Sequence, residues 1–287
     1  MNKSVSPLGD SDLEFQVISA DDRLGISLLQ SLKRLYKELK SNRHHIIEGW
    51  SLELKLKLRQ SSFSFLWLVA NAILPIIFFG WLRSAVMDNQ SRAGFAYVAI
   101  GYWLWALMID LMKAPSTSLK KNKGLMQQSQ LPLSAIFMMG YANAFIDFLL
   151  RFILVVVTLF AISGDYLVFV NLLFLLAVPI LFGISCGLIL SIVLIGKPDI
   201  YEIVELFFRY GLFVSCVIFP LPDTEFFYWF ESLNPFASII IYTRDVMMGN
   251  TSMFLVQYLS YASIAIILSL IGLRALYVLE PRLKGNL

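Results

Sequence analysis

Charge is what this sequence is short of. Only 15% of its 287 residues are Asp, Glu, Lys or Arg, while 58% are hydrophobic and the mean hydropathy is +0.71. A soluble domain carries roughly a quarter charged residues, so the deficit implies an integral membrane protein. Histidine is reduced to the neighbours His44 and His45; adjacent side chains diverge on a helix, so no metal site is expected. The two cysteines, Cys186 and Cys216, sit in apolar runs and read as buried small hydrophobes rather than a disulfide. A Gly-rich phosphate loop is missing, because "IGKPD" (195–199) lacks the upstream Gly and the Ser/Thr that such a loop needs. Paired Asp-rich motifs for magnesium are missing too. The chain is therefore expected to bind no nucleotide and no cofactor of its own. Its first 22 residues hold no apolar core, so no cleavable signal peptide is expected.

Long apolar runs are what the chain has instead. A hydrocarbon core about 30 Å thick needs about 20 apolar residues in a helix. Six runs meet this, at 63–82, 94–112, 132–162, 167–195, 203–220 and 253–279. The expected fold is an all-α integral membrane protein with six transmembrane helices. A β-barrel is excluded, since its spans would show about ten residues of strict alternation. The third, fourth and sixth runs exceed the need, so tilted or protruding helices are expected. Lys and Arg set the orientation. The first 59 residues hold ten of them, the 113–123 connection adds Lys113, Lys120, Lys121 and Lys123, and the tail adds Arg282 and Lys284. The opposite side shows Arg83, Arg92 and Arg244. Both termini are expected in the cytoplasm.

Residues 1–59 read as a cytoplasmic segment ahead of a transmembrane domain over 60–287. Leu24, Leu28, Leu32, Leu35 and Leu39 recur at helical spacing, with Lys33, Arg34, Lys37 and Lys40 between them. Such a basic amphipathic helix suits a membrane surface, a partner protein, or packing on its own chain. "WSLELKLKLR" (50–59) alternates like a strand, yet Ile47, Trp50, Leu54 and Leu58 also form a helical stripe. An interfacial helix is preferred, because a lone strand there would leave backbone groups unpaired.

Charges inside the spans are costly and invite a role. Asp147 and Arg151 are four apart and share a face, as do Glu205 and Arg209 near Glu202, and Asp110 stands near the cytoplasmic end of the second span. They read as packing pairs or the lining of a wet cavity. No acidic chain crosses the bilayer as a proton relay would need. "GISCG" (183–187) is a small-xxx-small pattern that permits close helix contact. Aromatics gather at "YWLW" (102–105), "FFRYGLF" (207–213) and "FFYWF" (226–230), as interfacial anchors, packing, or rings on which sugars stack.

Three longer stretches carry a resemblance. "LELKLKLRQSSFSFLWLVANAILP" joins an amphipathic interface helix to a Ser-rich run, a Trp and a Pro; "GYWLWALMIDLMKAPSTSLKKNKGLMQQSQLPLS" holds a span and a Ser-rich turn ending in Pro-Leu-Ser; "SLNPF" precedes "YTRDVMMGN". In this order they resemble the membrane subunit of ABC-2 type exporters, in the branch that moves O-antigen, capsular polysaccharide or teichoic acid. The resemblance covers about residues 45 to 287. The chain departs from the family at Phe63-Ser64 and at Gln130-Leu131-Pro132, and its N-terminal 40 residues are longer than many members need. The resemblance implies a homodimeric permease of the bacterial inner membrane, not itself an enzyme. It also implies a separate ATP-binding subunit, a lipid-linked polysaccharide substrate, and no nucleic acid partner. Other ABC-2 substrates (teichoic acid, a lipid or a drug) and a membrane-embedded glycolipid transferase are the alternatives. Within that frame Tyr102, Trp103, Trp105, Phe208 and Tyr210 are candidates to line the path, and Lys55, Lys57, Arg59, Lys120, Lys121 and Lys123 to dock the ATPase.

Residues 221–249 lie outside the fifth span, and within them "ESLNPFASIIIYTRD" (231–245) is too apolar for an ordinary loop. Pro222, Asp223 and Glu225 mark one helix start, Asn234 as N-cap with Pro235 marks a second, and Gly249-Asn250 marks its stop. Two helices of roughly 10 to 15 residues reach about 15 to 22 Å, short of a bilayer. A re-entrant hairpin before the last span is expected, acting as a gate. Asn234 and Pro235 would shape its turn, Tyr228, Trp229 and Tyr242 would anchor it, and Arg244 and Asp245 would meet the substrate's phosphate or sugar.

Overall fold

The computed structural model describes residues 23–59, 64–87, 92–122, 124, 131–163, 167–195, 197–221 and 224–285. These residues form helices and connections, with no strand among them. In chain order the helices are α1 (Leu28–Ser41), α2 (Arg43–Arg59), α3 (Ser64–Met87), α4 (Arg92–Lys121) and α5 (Leu133–Ser163). There follow α6 (Leu167–Leu194), α7 (Pro198–Val214), α8 (Glu225–Leu233), α9 (Pro235–Met247) and α10 (Leu255–Gly285). The "WSLELKLKLR" stretch is helical, as the lone-strand argument requires.

Among the described residues five helices are long and apolar enough to cross a membrane, over Val69–Val86, Gly94–Lys121, Leu133–Ile153, Phe174–Leu194 and Leu255–Leu283. The expected run at 203–220 is not among them. Its helix α7 has 17 residues and stops at Val214. The backbone then turns through Cys216 at φ 54°. Hydropathy continues through this turn, which is why apolarity alone overran the helix end.

The bundle is built around α4. Of its Gly94–Lys121 window 78% is buried, against 17% for α3 and 22% for α10. Pro115 lies inside α4 and leaves the Leu111 carbonyl without its intrahelical donor. Glycines let neighbouring helices close on this turn. A Cβ on Gly187 of α6 would lie 2.7 Å from the Leu111 oxygen, and one on Gly183 would lie 2.9 Å from Leu111 Cβ. On the other flank a Cβ on Gly140 of α5 would lie 2.9 Å from Ser118 Cβ and inside the Ala114 carbonyl. The small-residue pattern in "GISCG" is thus a helix contact.

The molecule has two distinct ends. At one, Leu119, Leu133, Ile136, Phe137, Ile195 and Leu276 pack together beside Lys120 and Lys121, which close α4. The Glu280 carboxylate accepts the Leu133 N–H at 2.8 Å, satisfying the first turn of α5. It also pairs with Arg23 at 3.1 Å. Arg23 donates to the Tyr277 carbonyl at 3.0 Å and lies over the Tyr277 ring. Arg34 donates to the Tyr277 hydroxyl at 3.2 Å. Leu35 packs on Tyr277 and Val278, so α1 sits on its own chain. Glu280→Ala should strip a buried helix start of its acceptor and cost about 1–3 kcal/mol. Thermal unfolding of the detergent-solubilised protein checks this, with Glu280→Gln, which keeps an acceptor, expected to lose less.

Candidate translocation site

The other end carries the short helices. Thr224 caps α8 through its hydroxyl to the Phe227 N–H; Pro222 and Asp223, expected to mark this start, lie outside the described residues. Asn234 caps α9, its Oδ1 accepting from Phe236 N at 3.1 Å and Ala237 N at 3.4 Å, with Pro235 as first helical residue. Gly249 follows α9 at φ 76°, the left-handed conformation that stops helices. With nine and 13 residues, α8 and α9 reach about 14 and 20 Å.

The two helices sit very differently. None of α8 is buried, whereas nine residues of α9 are, including all of Phe236–Ile241. The ring of Phe236 meets Trp105 at 5.1 Å, Phe182 at 5.5 Å and Phe207 at 5.9 Å. Side chains of α10 hold α8: Tyr261 donates to the Ser232 carbonyl at 2.8 Å, and Gln257 donates to the Tyr228 hydroxyl at 3.1 Å. The Trp229 ring is exposed. Tyr242 packs on Tyr258, ring centroids 4.3 Å apart, against the core.

Arg244 is 2% exposed. Its guanidinium lies 3.4 Å from the Tyr97 ring centroid and donates to the Cys216 carbonyl at 3.0 Å, while Nε has no partner. Arg83 lies over the same ring at 4.0 Å and donates to the Ile218 carbonyl at 2.7 Å. The Tyr97 hydroxyl also donates to Cys216 O, at 3.3 Å. Cys216 in turn donates through Sγ to Glu231 of α8 at 3.3 Å, and Asn234 Nδ2 donates to Val214 O at 3.2 Å. The turn after α7 is therefore pinned from α3, α4, α8 and α9 at once. Burial pushes the Arg244 guanidinium below its ordinary range, opposed by Tyr97 and Asp245. The Asp245 carboxyl is pushed up by burial, with the Ser252 hydroxyl and Arg244 pulling the other way. A guanidinium held this deep with an unmet Nε is costly, a signal that Arg244's place near the end of a helix could not convey.

The aromatic candidates do not share one surface. Trp103 is fully buried against Phe148 at 5.9 Å, its Nε1 without a partner. Trp105 is buried on α9, and half-buried Tyr102 lies 6.1 Å from Phe79. Phe208 is buried beneath Lys113, whereas Tyr210 is exposed. Toward the basic end, Arg151 hydrogen-bonds Asp110, bringing in a partner from α4 besides Asp147 of its own helix. Glu205 pairs with Lys113 at 3.5 Å. Lys120 lies 3.1 Å from the Tyr201 ring centroid.

Sequence reasoning missed Glu53. Its carboxylate accepts from Asn122 at 2.9 Å and from Asn143, joining α2 to the end of α4 and to α5. Lys55, Arg59, Lys120 and Lys121 are exposed around this joint, Lys57 belongs to the same helix α2, and Lys123 lies outside the described residues. No group of three or more His, Cys, Asp or Glu gathers among the described residues.

No protein-family model matches the chain. It is 23% identical over 205 residues to the polysialic acid transport protein KpsM of Escherichia coli, covering 68% of this chain and 78% of that one. It is 25% identical over 243 residues to the O-antigen export system permease protein RfbA of Klebsiella pneumoniae, covering 80% and 90%. With the motifs in residues 45 to 287, these two relatives support an ABC-2 type polysaccharide-export permease.

Proposed function

We propose that this chain is the membrane subunit of an ATP-driven exporter. Two copies, with a separate ATPase subunit, would move a lipid-linked polysaccharide, O-antigen or capsule, from the cytoplasmic to the outer side of the bacterial inner membrane. The observation that carries the reading is the α8–α9 hairpin, a pair of helices too short to span, set at the end opposite Lys120 and Lys121. Backbone ends at membrane depth persist only where protein or a wet cavity receives them, and α9 is received by the core.

In this reading α7 and residues 215–220 complete a sixth crossing. α7 runs from beside Lys120 to Asn234 and its 17 residues rise about 26 Å. Both termini then lie in the cytoplasm. The hairpin gates the outer mouth, with Tyr228 and Trp229 at the interface and Arg244 and Asp245 meeting the lipid-linked phosphate or sugar once it opens. Tyr102, Trp103, Trp105, Phe208 and Tyr210 come to the path through a rearrangement or the second copy.

Three experiments test the reading. In a strain lacking this chain, surface polymer should vanish and lipid-linked polymer should accumulate inside; unchanged surface polymer refutes the export role. Single cysteines at 236–241 should resist a membrane-impermeant thiol reagent at rest and react during ATP-driven transport. Equal labelling with and without ATP refutes the gate. For the dock, Lys55, Lys57 and Arg59 changed together to Glu should lower transport-coupled ATP hydrolysis about tenfold or more, as loss of about 1.4 kcal/mol of association would. Insertion of the permease should stay normal, as measured on the purified complex.

A further inference from the structure

α1 is seated on α10 by one face, and its other face has a consistent chemistry. Inward lie Ser31 and Leu35, both buried, with half-buried Leu28, Leu32 and Leu39. Outward lie Leu29, 78% exposed, and Tyr36, 68% exposed, with the exposed Lys33, Lys37 and Lys40. At 3.6 residues per turn Leu29, Tyr36, Lys33 and Lys40 share an arc of about 60°, with Lys37 next to it. The one acidic residue of α1, Glu38, is half-buried on the inner side. The outward face is thus an apolar stripe bordered by amines, free of carboxylates. Its position is equally specific. Leu35 meets α10 at Tyr277 and Val278, and α10 begins at Leu255. Twenty-two residues of helix rise about 33 Å, the thickness of one hydrocarbon core.

We infer that the outward face of α1 rests on the anionic headgroups of the inner leaflet. Leu29 and Tyr36 enter the headgroup boundary, and Lys33, Lys37 and Lys40 meet lipid phosphates. Apolar contact and amines act together here, as in other interfacial helices. The helix is already folded and docked, so binding requires no further ordering of its backbone. This inference rests on the membrane placement and orientation of α10 proposed above and on no part of the export cycle.

The test uses the full-length chain without any ATPase, a nitroxide on Tyr36→Cys and, independently, on Leu29→Cys. The protein is placed in phosphatidylcholine nanodiscs with or without phosphatidylglycerol, and in lipid-free detergent micelles. With phosphatidylglycerol the label should become accessible to oxygen and shielded from a water-soluble nickel chelate. Changing Lys33, Lys37 and Lys40 to Glu should shift the docked-to-free ratio roughly a hundredfold toward water. Water-like accessibility with phosphatidylglycerol would overturn the inference. Shielding from oxygen and the chelate alike in every one of these media would overturn it as well, since protein or a second copy would then cover the face. A failed export assay leaves these readouts untouched.

Discussion

Arg244→Met is expected to leave the chain folded while residues 236–241 react with an external thiol reagent roughly 10 to 100 times faster at rest. The bond from Arg244 to the Cys216 carbonyl is charge-assisted, and such bonds contribute about 1.5–3 kcal/mol. If that bond holds the hairpin shut in the gate proposed above, losing it raises the open population by that factor. Labelling follows the open population when opening is fast. Methionine fills much of the vacated volume and removes a buried cation with an unmet Nε, so the fold should tolerate it. Tyr97→Phe keeps the ring under both guanidinium groups and loses the hydroxyl with its 3.3 Å bond to Cys216 O, so its increase should be smaller. The measurement needs a background of Cys186→Ala and Cys216→Gly, glycine suiting φ 54°. Wild-type labelling rates in Arg244→Met would separate Arg244 from the gate.

Gly140→Ala should have the largest effect on stability. The added methyl meets the Ala114 carbonyl and Ser118 Cβ, and neither is the flexible tip of a side chain. Ser118 is itself fixed, donating to the Ile136 carbonyl at 2.8 Å. Relief requires α4 and α5 to move apart, yet α6 closes on the same turn of α4 through Gly183 and Gly187. Overpacking costs about 1–3 kcal/mol, and a clash with the Ala114 backbone belongs near the top of that range. Thermal unfolding in detergent, beside Gly272→Ala, whose Cβ would approach Leu188 Cβ only to 3.1 Å, separates this contact from a general glycine effect. A wild-type melting temperature for Gly140→Ala would mean that α4 and α5 yield more easily than their contacts imply.

What the residues disclosed in advance was what is decided locally. Asn234-Pro235 and Gly249 set the bounds of α9 through caps made within a few residues. The long apolar runs marked α3 to α6 and α10, because hydropathy summed over about 20 residues needs no partner. What escaped was settled between distant elements. Arg244 looks like a surface cation at a helix end, until Tyr97 of another helix supplies a ring for it. Arg151 shares a face with Asp147, but Asp110 on α4 also reaches it. Glu53 sits in an alternating stretch with nothing to distinguish it from its neighbours, and Asn122 and Asn143 reveal its part. The end of α7 is a backbone event at Cys216 that composition does not register.

The seat of α1 also orders the making of the protein. Its anchors lie at the far end of the chain: Arg23 reaches Tyr277 and Glu280, across 254 and 257 positions. A ribosome adding about 5–20 residues per second delivers α1 long before that seat exists. A helix synthesised early therefore docks among the last, after α10 has inserted. Until then its leucines await cover, and a nascent chain that stalls before Leu255 leaves them without their native partner.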